Sequence, residues 1–168
     1  TGMLNRFSLE QHINALLSNT GEGNVHAMYI IDLDHFRDIN DQFGHGAGDR
    51  ILMETASKIA LAFSRQDLIA RTGGNEFTVF LNLTRNASRP AMEIIDLKGK
   101  ILCELLKNTY SDNLHEINLT ASVGIAVYPR DARSGEGLRK KAEIALNNCK
   151  RQGRNQYQLY QSSMTEEV

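Results

Sequence analysis

Three groups of residues in this sequence carry side chains that could do chemistry together. The first is Asp32-Leu33-Asp34, which follows the short apolar run Ala27-Met28-Tyr29-Ile30-Ile31. Bounded this way, the run reads as a buried central strand delivering two carboxylates at its C-terminal end. Alternation along a strand puts Asp32 and Asp34 on one face. Paired carboxylates suit a hard cation such as Mg2+, which prefers oxygen ligands at about 2.0–2.1 Å and keeps water or phosphate in its shell. The competing reading leaves one carboxylate solvated and has Asp34 cap a helix opening at His35. The second group is Gly73-Gly74 followed by Asn75-Glu76. Glycines at a hairpin tip let backbone amides approach a phosphate, and they equally serve as a plain turn. The third is Lys150 with Arg154, at the end of a helical stretch. This pair suits phosphate, and it also suits the negative end of a helix dipole. Together the groups describe a strand-end carboxylate site, a backbone cradle and a distal basic clamp, the parts of a metal-dependent nucleoside triphosphate site.

The elements that must hold these groups follow from periodicity. Arg6 to Leu17 predicts an amphipathic helix with Phe7, Ile13, Leu16 and Leu17 as its apolar stripe. After the first strand comes a Gly-bearing polar stretch, Asn40 to Asp49, and then a long helix with Ile51, Thr55, Ile59 and Phe63 one turn apart. Asp67 to Thr72 and Glu76 to Leu81 are strand-like runs meeting at Gly73-Gly74, a hairpin signal because both glycines tolerate positive φ. Pro90 to Asn108 predicts a helix carrying Ile94, Leu97, Ile101 and Leu105. Ile117 to Tyr128 is the clearest strand, with every odd position from Ile117 to Val127 apolar. Gly135 to Lys150 reads as a last helix, and Gln156 to Tyr160 as an edge strand. Helices on one side of a central, mostly antiparallel sheet give an α+β fold.

Bulk properties narrow the classes. The 168 residues fit one domain, and 41% apolar with 23% charged residues is an ordinary globular balance. A formal net charge of -1 argues against a nucleic-acid coat or a polybasic membrane surface, so an anionic ligand must be held by local groups. No apolar run is long enough to span a membrane. Cys103 and Cys149 lack ligand spacing and read as buried free thiols of a reducing cytosol. The opening Thr1-Gly2, without Met, suggests a domain excised from something longer, with residues 1–161 as the domain. The polar tail 162–168 reads as a linker to a missing downstream domain.

Five ordered motifs resemble the GGDEF family, the diguanylate cyclases, over nearly the whole chain. Thr1 to Arg6 is similar to the opening "LTGLxNR". Asp32 to Asp41 with Phe43-Gly44-His45 and Gly48-Asp49 resembles "DxDxFKxxND…GHxxGD", and Arg71 to Phe77 resembles the signature loop. Thr120 to Ala126 and Lys150 to Asn155 match "SxGIA" and "AKxxGRN". The resemblance implies a fold like the palm of adenylyl cyclases and polymerases. It also implies two facing domains, each holding GTP with two Mg2+ or Mn2+ ions, that close cyclic di-GMP and release pyrophosphate. Residue by residue, it implies metal binding by Asp32, the Leu33 carbonyl and Asn75, and catalytic roles for Glu76 and Asn75. It implies substrate contacts from Phe36, Asn40, Asp49, Gly73, Gly74, Lys150 and Arg154, with Asn40 and Asp49 reading guanine. A homodimer, attached sensor and EAL phosphodiesterase domains, and a bacterial cytoplasmic setting (free, or as part of a membrane-anchored protein) complete the expectation.

Two positions depart from the pattern. Asn75 stands where the signature carries an acidic metal ligand; an amide brings no charge and cannot act as a base. The product-inhibition motif Arg-x-x-Asp is read here as Ser64-Arg65-Gln66-Asp67, with the arginine one place late. These departures favour a domain that binds GTP, turns it over weakly and regulates an attached output. The alternatives are an active cyclase and an empty dimerisation scaffold.

Overall fold

The structure, a computed structural model, describes residues 3–83, 89–111 and 113–164. Helix α1 (Arg6–Ser18) starts where Asn5 caps it, its side chain accepting the Ser8 N–H at 2.8 Å. Strand β1 (Val25–Asp34) follows. Helices α2 (Phe36–Phe43) and α3 (His45–Ala62) are separated only by Gly44 (φ 87). The hairpin of β2 (Leu68–Arg71) and β3 (Glu76–Leu83) leads to α4 (Ala91–Leu105). Strands β4 (Asn108–Ser111) and β5 (Glu116–Tyr128), helix α5 (Gly135–Arg151) and strand β6 (Gln156–Leu159) complete the described chain.

The sheet runs β2-β3-β1-β5-β4, with β6 also on β5. Every pairing is antiparallel except β5 with β6. The expected α+β class holds, but the helices cover both faces rather than one. Ala27, Tyr29, Ile31 and Leu33 of β1 pack in one core with α2, α3 and α4. Met28 and Ile30 pack in a second core with Leu9 and Ile13 of α1 and Leu138, Ala142 and Leu146 of α5. A continuous apolar strand has no solvent face, so it needs a helical layer on each side.

The same logic refines β5. Odd residues from Ile117 onward are buried throughout, whereas Glu116 and Asn118 are exposed on the even face. From Ser122 to Ala126 the even residues are buried too, because α5 lies on them. Ser122, Gly124 and Ala126 are small for that reason. A Cβ on Gly124 would stand 2.1 Å from the Ala142 carbonyl oxygen and 2.4 Å from the Leu146 nitrogen.

Several expectations need correction. The polar stretch from Asn40 to Asp49 is mostly helical: α2 runs to Phe43 and α3 begins at His45. Only Phe36 and Ile39 of α2 are buried, too few for a readable stripe. Phe7 is 67% exposed, and Leu9 takes its place in the α1 core face. In α4 the buried line is Ile95, Gly99, Leu102 and Cys103, while Leu97 is 40% exposed. Asn108 opens β4 instead of ending α4. Gly73 and Gly74 form the hairpin tip without either adopting a left-handed φ. Of the tail, Met164 donates its N–H to the Gln161 carbonyl at 2.9 Å; residues 165–168, like Thr1 and Gly2 of the opening motif, lie outside the described residues.

Both cysteines are free and buried. Burial pushes the Cys103 thiol up to about 11 and the Cys149 thiol to about 12, from a reference value of 9.0. The sign follows: this protonated burial stabilises the fold below about pH 9 and is lost as pH rises through the folded values. Native protein treated with iodoacetamide at pH 8 is therefore expected to show neither thiol alkylated by mass spectrometry. Rapid labelling without denaturant would contradict the packing.

Candidate functional site

Strand β1 ends on Asp32 and Asp34, and the β5 register sets their neighbours. Asp32 lies opposite Ser122, and Asp34 opposite Thr120. Asp34 is 3% exposed. Its carboxylate accepts the Thr120 hydroxyl at 2.7 Å, the Ser122 hydroxyl at 2.8 Å and the Asn155 N–H at 3.1 Å. Arg154 approaches at 4.0 Å. With these donors Asp34 is a structural anchor, neither a free metal ligand nor the cap of α2, whose N-cap is His35 in a left-handed conformation (φ 62). Arg154 and Asn155 also take left-handed backbone (φ 62 and 49), and this turn brings the Asn155 N–H onto Asp34.

Asp32 is engaged differently. Its Oδ1 accepts the Asn75 amide Nδ2 at 2.7 Å, and the same nitrogen reaches the Leu33 carbonyl at 3.1 Å. Its Oδ2 is paired with the Lys150 ammonium from the end of α5. Lys150 thus leaves its helix terminus for a carboxylate and does more than complement the dipole. The hairpin that carries Asn75 is held by Arg71, whose guanidinium donates to the Gly73 carbonyl at 3.2 Å and the Gly74 carbonyl at 2.7 Å.

Beside this cluster lies a cleft of ≈ 390 Å³, lined by Phe36, Asn40, Asp49, Arg71, Gly74 and Asn75 among others. Four residues expected to contact substrate, Phe36, Asn40, Asp49 and Gly74, therefore meet in one cavity with Asn75, expected as a metal ligand and catalytic residue. Asp32, Leu33 and Lys150 join it through Asn75, and Arg154 stands next to Asp34. Two residues do not meet there. Gly73 is exposed at the tip, and Glu76 sits across from Asp32 with its carboxylate held by the Thr72 hydroxyl at 2.6 Å. Glu76 lines a second, nearly filled cavity of ≈ 20 Å³ with Arg6, Glu10 and Arg139.

Residues beyond the sequence reading also matter. Arg71 opens the signature loop, and only its tip contacts reveal a role. Thr120 and Ser122 sit on the even face of β5, where a polar residue every second place was the available signal. Gly48 is required by close approach: a Cβ there would stand 1.9 Å from Asn40 Oδ1 and 3.2 Å from Phe36 Cζ. On the expectation that Asn40 reads guanine, Gly48→Ala should displace the Asn40 amide and weaken GTP binding about tenfold, roughly 1.4 kcal/mol, with little change in melting temperature. Calorimetric titration beside a thermal melt checks this; unchanged affinity contradicts it.

Asp67, the surviving half of the product-inhibition motif, is committed elsewhere. It accepts the Ser64 N–H at 2.8 Å, the Ser64 hydroxyl at 3.1 Å and the Asn82 N–H at 2.9 Å. It closes the turn into β2.

The expected metal ligands, Asp32, the Leu33 carbonyl and Asn75, do converge. Their chemistry does not suit a divalent cation. The set supplies one carboxylate, already neutralised by Lys150, and a neutral amide that turns its N–H edge inward. Among the described residues, no three His, Cys, Asp or Glu side chains cluster to hold a metal ion, and no helix is long and apolar enough to cross a membrane.

With the geometry in place, comparison with known proteins is direct. The family described as "Diguanylate cyclase, GGDEF domain" matches residues 1–156. The chain is 33% identical over 165 residues to the bifunctional diguanylate cyclase/cyclic di-GMP phosphodiesterase MucR of Pseudomonas aeruginosa, covering 98% of this chain and 23% of that protein. It is similar to the solved structure of a sensory box/GGDEF family protein from Caulobacter crescentus, at 37% identity and TM-score 0.77, covering 91% and 96% of the two chains. The GGDEF domain of YfiN, or TpbB, from Pseudomonas aeruginosa superposes with TM-score 0.82 at 28% identity, covering 95% and 98%. The chain spans between 20% and 41% of the first curated relatives it matches.

Proposed function

Because this chain belongs to the diguanylate cyclase GGDEF family, a family of cyclic di-GMP signalling, we propose that it binds GTP in the cleft beside Asn75, forms cyclic di-GMP weakly or not at all, and regulates an attached output domain. One observation carries this reading. The groups suited to guanine line the cleft, while the residue that should bring charge to the reacting end is an amide bonded to Asp32 and the Leu33 carbonyl. Asn40 and Asp49 offer an amide and a carboxylate that complement the donor and acceptor edge of guanine. Phe36 supplies an apolar wall, and Gly74, with open space where a side chain would project, leaves room for phosphate. Arg71 lines the cleft, and Lys150 and Arg154, paired with Asp32 and Asp34, add positive charge at the strand end for the phosphates.

Diguanylate cyclases of this family generally use Mg2+ or Mn2+, and a cation there would offset the charge of carboxylates and phosphates. Asp32, the Leu33 carbonyl and Asn75 lack the second carboxylate for that work. Asn75 cannot take a proton from an attacking hydroxyl. Glu76 is held by Thr72 and lies off the cleft. An attached phosphodiesterase of EAL type is the output favoured here, since MucR carries both activities in one chain.

Incubation of the chain with GTP and Mg2+, with bound nucleotide and cyclic di-GMP both quantified, tests this reading. Saturable GTP binding with product near background is expected. Rapid cyclic di-GMP formation would instead show an active cyclase, and no GTP affinity would leave a dimerisation scaffold.

A further inference from the structure

At the inner edge of the signature loop, a neutral amide from Asn75 and the Lys150 ammonium from α5 stand where the family resemblance implies a cation. Asn75 Nδ2 sits 2.7 Å from Asp32 Oδ1 and 3.1 Å from the Leu33 carbonyl oxygen. Both partners can only accept hydrogen bonds, so the amide must present its NH2 group to them; the opposite flip would set three oxygens against one another. Lys150 takes the other oxygen of Asp32. Each oxygen of the one available carboxylate, and the adjacent carbonyl, thus faces a donor supplied by the chain itself.

We propose that this domain binds its nucleotide without a divalent cation, the Asn75 amide and the Lys150 ammonium together doing the cation's work of screening Asp32. The inference rests on the nucleotide reading above and adds a specific property to it. A triphosphate approaching two bare carboxylates needs a cation between them, since like charges at close range repel strongly in a partly desolvated site. Here Asp32 is the one carboxylate among the three expected ligands, and Glu76, across from it on β3, is held by the Thr72 hydroxyl. Asp32 is ion-paired, and its remaining acceptor is hydrogen-bonded. Asp34 adds no bare charge, because three donors satisfy it within 3.1 Å and Arg154 stands beside it. The Asp32 side chain is 16% exposed and that of Lys150 33%, so their pairing is partly shielded from bulk water. A cation entering would have to displace Lys150 or turn the amide over, and would gain one carboxylate by doing so.

The test is calorimetric titration of the chain with a non-hydrolysable GTP analogue, once in excess MgCl2 and once in EDTA. The two dissociation constants are expected to agree within about threefold, a difference well under 1.4 kcal/mol. Binding that weakens about tenfold or more in EDTA overturns the proposal and leaves the nucleotide reading intact. No binding in either buffer overturns the nucleotide reading, and this proposal with it. A second arm uses Asn75→Asp, in which two carboxylates face each other across the Leu33 carbonyl. Its analogue affinity is expected to fall about tenfold or more when MgCl2 is replaced by EDTA. An Asn75→Asp protein as indifferent to EDTA as the unaltered chain would overturn the role given to the amide.

Discussion

Asn75→Asp is expected to raise cyclic di-GMP formation by about a hundredfold or more, the scale of restoring one preorganised electrostatic group at a reacting centre. The substitution nearly preserves side-chain volume, so the hairpin should keep its shape, with Arg71 still tying the Gly73 and Gly74 carbonyls. What changes is charge. The inner edge of the loop goes from an N–H donor to a second carboxylate beside Asp32, which creates the acidic pair that the family resemblance implies for a divalent cation. GTP affinity in Mg2+ should change far less than the rate, because Phe36, Asn40 and Asp49 are untouched. Chromatographic quantification of cyclic di-GMP at saturating GTP and Mg2+ reads this directly. A rate that stays at background in a folded Asn75→Asp protein would locate a second defect, with Glu76, tied to Thr72, the first place to look.

Gly124→Ala is expected to destabilise the domain by about 3 kcal/mol, the upper end of what inserting one methyl group into a packed interior costs. At about 2–4 °C per kcal/mol for a chain of this size, the melting temperature should fall by roughly 6–12 °C. The new Cβ would meet backbone and not a pliable side-chain end: the Ala142 carbonyl at 2.1 Å, the Leu146 nitrogen at 2.4 Å and its Cα at 2.9 Å. Only a shift of α5 off the sheet can relieve this. The helix carries Lys150, so the shift should also loosen the ion pair with Asp32. Circular-dichroism melts of the two proteins decide it; a variant melting within about 2 °C of the parent would mean that α5 packs less closely than described.

The legible parts of this molecule are those encoded by local pattern. The apolar run before Asp32 announced a central strand and placed two carboxylates on one face. The alternation from Ile117 to Val127 announced β5. What escaped depended on partners distant in sequence. Asp34 looked like a second ligand until the β5 register brought Thr120 and Ser122 to it across 86 and 88 residues. Strand β4, Asn108-Thr109-Tyr110-Ser111, has no apolar alternation and exists because β5 offers it an edge at residues 116–119. Helix α2 hid behind Asn40 and Asp41, poor helix formers, and has little to bury. At the site, the sequence exposed the missing charge at position 75. The direction of the Asn75 amide, towards Asp32 and Leu33, needed coordinates.

The most direct test of the account is to mix the chain with labelled GTP and Mg2+, isolate the protein-bound nucleotide, and identify it chromatographically. Saturable binding is expected, with the label recovered as GTP. Recovery as cyclic di-GMP within a few turnovers, or no bound label at all, would contradict it.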